Sequence, residues 1–369
     1  MKILMLANPD SSHTIKWACS LAEFGNEVIV FGLNRCESNS YANFSNIKVI
    51  TIDLGIDITS GEEGARRKLV YLKALPLLAR TIKEFCPDVV HAHYATSYGL
   101  LGALSGFCPF ILSVWGSDVF TFPHLSCFHR WLVKFNLFRA NKVLSTSHVM
   151  ALETNKYTSK PIEVTPFGID LSVFKPENPT SPFSPEDIVI GTVKTLEEKY
   201  GVEYLIRAFH QMRLRHPGLP LKLLIVGGGS LEQSLRALVE ELNIDDCTIF
   251  TGPVQFVDVT KYHNMLSVYV SVSVCNSESF GVAVLESSAC GKPVVVSNVG
   301  GLPEVVENNI TGVVVPARDV EATANAIERL VIDPELRAAM GRAGRARVQR
   351  LYDWQANVMQ MIKIYEAIV

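Results

Sequence analysis

Short apolar runs alternate with amphipathic stretches along most of the chain. In the first half, six of these runs predict strands; they cover residues 3–7, 28–31, 49–53, 89–94, 110–114 and 143–146. Several of the segments between them have helical periodicity. This alternation is typical of a parallel sheet covered by helices.

The alternation stops near Asp170 and resumes after residue 187. Prolines at 176, 179, 182 and 185 prevent a helix or a central strand, so 170–187 is predicted to be a linker. Beyond it the pattern predicts strands at 188–193, 221–226, 248–250 and 268–274, and helices at 202–215 and 231–242. The second half is therefore predicted to form a second α/β domain.

Length and composition agree with two soluble domains. The 369 residues are 48% apolar and 19% charged, and the net charge is -3. The length exceeds that of one ordinary domain, and the low net charge gives no reason to expect nucleic acid as a partner. Two such sheets joined by a linker are expected to place the carboxyl ends of their strands around a shared cleft, where ligands bind.

Cysteine spacing and hydropathy bear on the cellular compartment. The eight cysteines are scattered, without the spacing of a zinc site, and we interpret them as reduced thiols of a cytoplasmic protein. The first apolar run is too short for the core of a signal peptide, and no run of eighteen apolar residues occurs. We therefore expect neither a cleaved leader nor a membrane span.

Two glutamates flank a predicted helix start in the stretch E-S-F-G-V-A-V-L-E, residues 278–286. The free N–H groups of the first turn, predicted at Phe280, Gly281 and Val282, favour an anion. Glu278 precedes this turn and Glu286 follows it by about 8–9 Å of helix rise. A sugar, a diphosphate and a ribose joined in series match this arrangement.

Two other readings of the glutamate pair remain open. The carboxyl pair of a retaining glycosidase lies only about 5–5.5 Å apart, which fits this spacing poorly. The pair also fits an ordinary loop charge and a half-exposed helix residue, with a permissive glycine between them. The spacing alone does not separate this second reading from ligand binding.

Two lysines and a glycine run lie at other strand ends of the second half. Lys194 and Lys199 provide cations that could neutralise a departing diphosphate, although exposed lysines are also common on any surface. Gly227 and Gly228 belong to a triple glycine that resembles a phosphate-binding turn but lacks the third glycine of the dinucleotide pattern. This departure disfavours an NAD-linked dehydrogenase. The alternative to a phosphate-binding turn is a tight turn that binds no ligand.

Several motifs together resemble the retaining glycosyltransferases of family four, which have the GT-B fold of two Rossmann-like doubly wound domains facing a central cleft. The resemblance covers nearly all of 165–355 and is most specific in the glutamate pair. It also includes 191–201, 227–229, G-P-V at 252–254, G-K-P-V-V-V-S-N-V-G-G-L-P-E-V-V at 291–306 and T-G-V-V-V-P at 311–316. The first half resembles the family more loosely, through P-F-G-I-D at 166–170, H-A-H-Y at 91–94 and S-V-W-G-S-D at 113–118.

The resemblance implies roles for the matching residues. Glu278 would contact the donor sugar, Phe280 and Gly281 the diphosphate, and Glu286 the ribose. Val254 would bind the base through its backbone, and Lys194 and Lys199 would stabilise the leaving diphosphate. The family acts without a metal ion or a cofactor, with a nucleotide diphosphate sugar as donor substrate and retention of anomeric configuration.

The sequence also departs from the family pattern. Lys194 stands where arginine is common, and Trp115 stands where a histidine is frequent. On the acceptor side, His13, His93 and Asp118 are the candidate ligand contacts. His91 and His93 share a strand face and could be interpreted as a metal pair, although no third ligand lies nearby in the sequence.

Two basic segments of the first half mix cations with apolar residues, at 65–83 and 129–139. This mixture is typical of a membrane interface, and equally of a solvated helix with one core face. We therefore expect a cytoplasmic protein, and leave two alternatives open for these segments: peripheral contact at the inner face of the membrane, or solvated helices with one core face.

The overall expectation is a metal-independent, retaining hexosyltransferase with a glycan or lipid-linked acceptor. The expected domains are an acceptor-side domain at 1–169, the linker 170–187, a nucleotide-sugar domain at 188–352, and a helix at 353–369 that crosses back to the first domain. The alternatives are a nucleotide-sugar epimerase of the same fold and a non-catalytic nucleotide-sugar-binding protein.

Overall fold

The computed structural model describes residues 1–54 and 67–369, without the side chains of residues 67–69. The chain forms two compact units. Unit 1 contains Met1–Pro166 and Ala356–Val369, and unit 2 contains Phe167–Gln355. Residues 65 and 66 of the first basic segment lie outside the described residues.

Unit 1 is built on a parallel sheet that has seven strands in the described residues, ordered β3-β2-β1-β4-β5-β6-β7. The strands are β1 Lys2–Leu6, β2 Glu27–Gly32, β3 Ile47–Thr51, β4 Val89–His93, β5 Phe110–Val114, β6 Lys142–Ser145 and β7 Ile162–Val164. The first helices along the chain are α1 Ser12–Glu23, α2 Leu75–Phe85, α3 Ser97–Ser105, α4 Ser117–Phe120, α5 Cys127–Arg139 and α6 His148–Thr154.

The central strands of unit 1 form its core. Every residue of β4 and β5 is buried, as expected where helices cover both faces of a parallel sheet. Continuous apolar runs therefore become the central strands, and the less buried β3 and β7 lie at the edges.

Unit 2 repeats this architecture with a parallel sheet ordered β10-β9-β8-β11-β12-β13 among the described residues. The strands are β8 Ile188–Val193, β9 Leu221–Val226, β10 Thr248–Phe250, β11 Val268–Ser271, β12 Val294–Ser297 and β13 Gly312–Val315. The helices are α7 Val202–Arg215, α8 Glu232–Glu241, α9 Val259–Met265, α10 Val282–Ala289, α11 Leu302–Val305, α12 Val320–Ile332 and α13 Pro334–Leu351. Short 3-10 turns connect several of these elements.

The last helix, α14 Trp354–Ile368, contributes most of its length to unit 1. The Asn357 side chain donates to the carbonyl of Pro166 at 2.8 Å, and the Gln360 side chain donates to the carbonyl of Val164 at 3.2 Å. Tyr365 is completely buried. The helix is thus anchored to β7 and to the residues that follow it.

The predicted architecture of two doubly wound, Rossmann-like domains is confirmed. Several predicted strand ends are shifted by one or two residues. The edge strands β7 and β13 were not predicted, and the strand expected at 268–274 ends at Ser271. The alternating valines continue to Val274, but pairing with the neighbouring β12 reaches only Ser271. The end of β11 is therefore set by where its pairing with β12 ends and not by the apolar pattern.

The proline-rich segment 170–187 has neither helix nor extended strand, and it belongs to unit 2. Phe174 is buried, with its ring against His263. The Asn264 side chain donates to the carbonyl of Lys175 and accepts from the backbone N–H of Glu177, each at 2.9 Å. The first part of the segment is therefore held against α9.

Across residues 1–54 and 67–369, no helix has the length and apolar content needed to cross a membrane.

Candidate functional site

The strand order of unit 2 reverses between β8 and β11, which lie side by side at the centre of the sheet. At such a switch point the connections leave in opposite directions, and the carboxyl ends of the two strands border a crevice where ligands bind. Lys194 directly follows β8, and Glu278 lies in the loop after β11. Both predicted residues therefore lie at the place where this fold binds ligands.

Lys194 and Glu278 form an ion pair. The Lys194 Nζ atom lies 2.7 Å from the Glu278 Oε2 atom, and their side chains are only 15% and 11% exposed. Ser273 Oγ also donates to this carboxylate, at 3.4 Å. Burial is the largest single influence and lowers the pKa of Lys194. The Glu278 carboxylate, together with Tyr269 and Tyr200, outweighs burial, so the pKa is raised overall. Lys194 therefore remains charged at neutral pH.

Tyr200 links the two predicted lysines. Its ring centre lies 4.3 Å from the Lys194 Nζ atom and 4.7 Å from the Lys199 Nζ atom. Both distances are within the range of a cation–π interaction. Lys199 itself is exposed, and its carbonyl accepts from the N–H of Val274 at 2.9 Å. The structure thus brings both cations to one ring beside the loop that carries Glu278.

Gly300 and Gly301 pack directly against the Glu278 backbone. The N–H of Gly301 donates to the Glu278 carbonyl at 2.8 Å. Gly300 has φ of +51°, and a Cβ there would clash with the same carbonyl oxygen. Only glycine fits this close approach without strain. These two residues hold the Glu278 backbone, and hence its carboxylate, in place.

The triple glycine after β9 packs against the segment after β8. A Cβ on Gly227 would clash with the carbonyl of Lys194, and one on Gly228 would lie 2.8 Å from the Pro253 ring. The N–H of Gly227 donates to the Gly252 carbonyl at 3.1 Å, so it is already occupied. Close packing between the loops therefore explains why glycine is needed at position 227, without a bound phosphate. Val254, whose backbone is expected to bind the base, follows Gly252 and Pro253 and is half-buried.

Helix α10 begins at Val282, slightly later than expected, with Gly281 as its N-cap at φ of +101°. The N–H of Val284 donates to the Gly281 carbonyl at 3.1 Å. Helix geometry leaves the N–H groups of Val282 and Ala283 without acceptors in their own helix. The donors that favour an anion therefore lie one to two residues later than the sequence predicted.

Phe280 is a core residue. It is 2% exposed, and its ring packs edge-on against Phe167 at 5.9 Å and Tyr352 at 5.8 Å. A ligand could therefore reach only the backbone of Phe280. This geometry limits the contact implied for Phe280 to the main chain.

Glu286 lies on α10 and is 8% exposed, so the reading of a half-exposed helix residue is wrong. The Oε2 atom lies 3.4 Å from Nε2 of His263, which is completely buried on α9. His263 was not predicted from the sequence. Its only sequence signal is a histidine within a helix, and only the fold brings α9 and α10 together.

Unit 1 has its own switch point between β1 and β4. On β4, both ring nitrogens of His91 are hydrogen-bonded, to Tyr365 Oη and to Ser113 Oγ, each at 2.7 Å. His93 is 2% exposed and packs against Trp115 with ring centres 4.7 Å apart. Trp115 in turn packs edge-on against His13 at 5.8 Å. Two of the predicted acceptor-side residues, His13 and His93, therefore flank one tryptophan.

The two β4 histidines are neutral near pH 7. Burial, and secondarily the charge of His13, lowers the pKa of His93 to about 3. Burial, and then His93, also lowers the pKa of His91 well below its usual value. Within residues 1–54 and 67–369, no three His, Cys, Asp or Glu side chains are grouped as metal ligands would be. The geometry therefore gives His91 a structural role between β5 and α14.

Asp118 holds a loop instead of facing a ligand. It is 0% exposed, and its carboxylate accepts from the N–H groups of Ala95 at 2.7 Å, Gly116 at 2.7 Å and Trp115 at 3.2 Å. Burial raises the pKa of Asp118, while these backbone bonds oppose the rise. The suggestion that Asp118 contacts an acceptor is corrected to a role in positioning the loop that carries Trp115.

Two family models match the chain and together cover most of it. The model described as "Glycosyl transferases group 1" matches residues 174–347, and that described as "Glycosyl transferase 4-like" matches residues 2–147. The chain belongs to the group 1 glycosyl transferases, of the family four type. The resemblance noted in the sequence is confirmed.

Relatives of known activity match about half of the chain. The D-inositol 3-phosphate glycosyltransferase of Saccharomonospora viridis is 34% identical over 210 residues, which is 54% of this chain and 48% of that protein. The GDP-mannose-dependent alpha-(1-6)-phosphatidylinositol monomannoside mannosyltransferase of Mycobacterium tuberculosis is 32% identical over 206 residues, 52% of each chain. The chain spans about half the length of these curated relatives.

Solved structures share the fold over the whole chain at low identity. The sucrose-phosphate synthase of Thermosynechococcus elongatus has a TM-score of 0.81 at 23% identity, covering 100% of this chain and 98% of that one. The Anabaena protein HepE in complex with UDP has a TM-score of 0.79 at 18% identity, with 100% of both chains covered. Both support the fold.

Proposed function

We propose that the protein is a retaining hexosyltransferase that moves a hexose-type sugar from a nucleotide diphosphate sugar to a glycan or lipid-linked acceptor. One observation carries this proposal: the buried Lys194–Glu278 pair lies at the switch point of unit 2, just before the N-terminus of α10. A carboxylate suits sugar hydroxyls, and an ammonium beside helix N–H groups suits a diphosphate.

Each residue has a distinct task in the proposed reaction. Glu278 accepts hydrogen bonds from the donor sugar, and the first-turn N–H groups of α10 bind the diphosphate. Lys194 and Lys199 offset the negative charge that builds on the leaving diphosphate. Glu286, supported by His263, accepts from the ribose hydroxyls. Backbone groups near Val254 bind the base.

The proposed chemistry needs no protein nucleophile and no metal ion. The bond between the anomeric carbon and the diphosphate oxygen breaks, and the acceptor hydroxyl oxygen bonds to that carbon on the same face. The hydroxyl proton passes to the departing diphosphate. The HepE structures named as complexes with UDP and with UDP-glucose are consistent with such a donor. In this proposal the protein works in the cytoplasm, in peripheral contact with the inner face of the membrane.

The test is to incubate the full chain with a panel of nucleotide diphosphate sugars and acceptors and to measure nucleoside diphosphate release. Glu278→Gln and Glu286→Gln should each lower transfer about ten- to a hundredfold, because each removes a charge-assisted bond worth roughly 1.5–3 kcal/mol. Glu241→Gln, at an exposed position at the end of α8, is the matched control. EDTA should leave the rate unchanged.

Several outcomes would reject parts of this proposal. Wild-type kinetics in both glutamine variants would reject the site. Isomerised donor without transfer would indicate an epimerase, and binding without turnover would indicate a sensor. Inversion at the anomeric carbon, read from the proton coupling constant of the product, would reject the retaining mechanism.

A further inference from the structure

Helix α5 presents aromatic rings to solvent. Phe128, Trp131 and Phe138 are 46%, 57% and 73% exposed. The Phe128 and Trp131 rings stack at 6.0 Å, and the Trp131 and Phe135 rings stack at 5.5 Å. These four residues recur at helical spacing, so they form one stripe about 15 Å long. Exposed aromatic rings that are grouped in this way mark interaction surfaces.

The packing of unit 1 does not account for this stripe. The opposite side of α5 already supplies the core contacts, through Leu132, Val133 and Leu137. The buried Asn136 side chain donates to the carbonyl of Ala95 at 2.9 Å, and Ser126 caps the helix. The helix is therefore fixed by its inner face, and the rings of its outer face are available to another surface.

The charged side chains of α5 are all basic. Between Asp118 and Glu153 the chain has no acidic residue. The basic residues of this stretch are Arg130, Lys134 and Arg139 on α5, and Lys142 beyond it, which pairs with Glu163 at 2.7 Å. Arg130, Lys134 and Arg139 lie exposed on α5 itself. The chain as a whole carries a net charge of -3, so this concentration of positive charge is local. A partner for this surface must be both apolar and negatively charged.

We propose that this surface, the α5 aromatic face of Phe128, Trp131, Phe135, Phe138, Arg130 and Lys134, docks on an anionic lipid bilayer. Aromatic rings partition into the interface between headgroups and acyl chains, and the cations pair with anionic headgroups. A second copy of the chain is disfavoured, because two copies of this face would bring like charges together. In the described part of the other basic segment, α2 exposes Lys83 and Arg80 without an exposed aromatic ring.

The test measures binding of the full chain to vesicles by sedimentation. Phosphatidylcholine vesicles and vesicles of phosphatidylcholine with phosphatidylglycerol are compared at low and at high salt. We expect binding to the anionic vesicles alone, weakened by salt. Tryptophan emission should shift to shorter wavelength in the wild type and not in Trp131→Ala, and this difference separates Trp131 from Trp17, Trp115 and Trp354.

Variants separate the aromatic and charge contributions. Trp131→Ala with Phe138→Ala should weaken binding about tenfold or more, and Arg130→Gln and Lys134→Gln about fivefold each. Leu214→Ala, at a position 68% exposed on α7, is the control and should bind as wild type. Because all of these side chains are exposed, circular dichroism should show the same thermal midpoint in each variant.

The proposal is overturned if the wild type does not sediment with anionic vesicles at low salt, or if the aromatic double variant binds as well as the wild type. It is also overturned if sedimentation velocity without vesicles shows a dimer that Trp131→Ala abolishes, since the face would then belong to a second copy. Vesicle binding does not require transfer, so failure here and failure of the transferase assay are separate results.

Discussion

The Lys194–Glu278 pair should make a large, measurable contribution to stability before any ligand binds. The perturbation is a double-mutant cycle with Lys194→Met, Glu278→Gln and the combined variant. Each single change leaves one charged group without its partner at 2.7 Å, in a site where the side chains are only 15% and 11% exposed. The combined change removes both charges together.

The expected loss of unfolding free energy follows from the burial of the ion pair. Removing one partner of a buried pair costs about 3–5 kcal/mol, because the remaining charge is left desolvated. The residual exposure of this pair lets water solvate part of the remaining charge, so we expect about 3 kcal/mol for each single variant. The combined variant should cost clearly less than the sum, which gives a coupling energy of about 2–3 kcal/mol.

The assay is urea unfolding followed by circular dichroism, with the exposed pair Arg80 and Glu84 as a matched control. That pair has a similar distance of 2.7 Å, but its side chains are 74% and 62% exposed. Changes there should be additive within error. If the buried pair shows no more coupling than Arg80 and Glu84, the electrostatic account of the site is wrong.

The pH dependence of the cycle provides a second check. The pKa of Lys194 is raised in the folded protein, so its stabilising effect is fully present below the ordinary lysine pKa of about 10.4. The effect is lost only as the pH rises through the folded pKa. The coupling energy should therefore be constant between about pH 6 and pH 9. A coupling that falls within this window would contradict the charge state assigned to Lys194.

Three further predictions concern stability. Below about pH 6.5 the unfolded chain takes up protons that His93, with a pKa of about 3, cannot take up when folded, so acidification should cost up to about 1.4 kcal/mol per pH unit for this group. His93→Asn should reduce that slope in acid titrations of unfolding. Tyr365→Phe should cost about 1–3 kcal/mol in urea unfolding, because it leaves the buried Nδ1 of His91 without its partner at 2.7 Å. Gly300→Ala should shift the thermal midpoint more than Gly25→Ala, which also has positive φ but has nothing within 4 Å of a new Cβ.

Each of these predictions has a clear contrary result. An unchanged acid slope in His93→Asn would mean that this histidine is not held neutral. A loss below about 0.5 kcal/mol for Tyr365→Phe would mean that water replaces the hydroxyl. Equal shifts of the thermal midpoint in the two glycine variants would mean that the positive φ alone causes the loss of stability. The clash with the Glu278 carbonyl would then add nothing.

The two sheets could be predicted because each central strand is buried on both faces, and such a strand forms a continuous apolar run in the sequence. β8, β9 and β10 were predicted with the bounds that the structure shows. β7 was missed because an edge strand of three half-buried residues has no such run. The end of β11 was missed because it depends on how far β11 stays paired with β12, and the last such pair is Ser271 with Val296.

The candidate site was only partly accessible from sequence. Lys194 and Glu278 were each assigned to a ligand, but their contact with each other joins loops from two different strands and has no local signal. Tyr200 and His263 were missed for the same reason, since their roles arise from what the fold places beside them. Asp118 was misjudged because an acidic residue after a strand looks the same whether it faces a ligand or caps a loop.

The route of the chain through unit 1 has a consequence for its synthesis on the ribosome. Tyr365 fills the core next to His91, which precedes it by 274 positions. The residues up to Pro166 therefore emerge with one core position still open, while all of unit 2 is translated in between. At about 5–20 residues per second, this interval lasts on the order of 10–40 s. Unit 2 is continuous in sequence and can fold as it emerges. Unit 1 is begun first but cannot complete its core until α14 has been translated. Chaperones are therefore expected to bind the part of unit 1 that has already emerged.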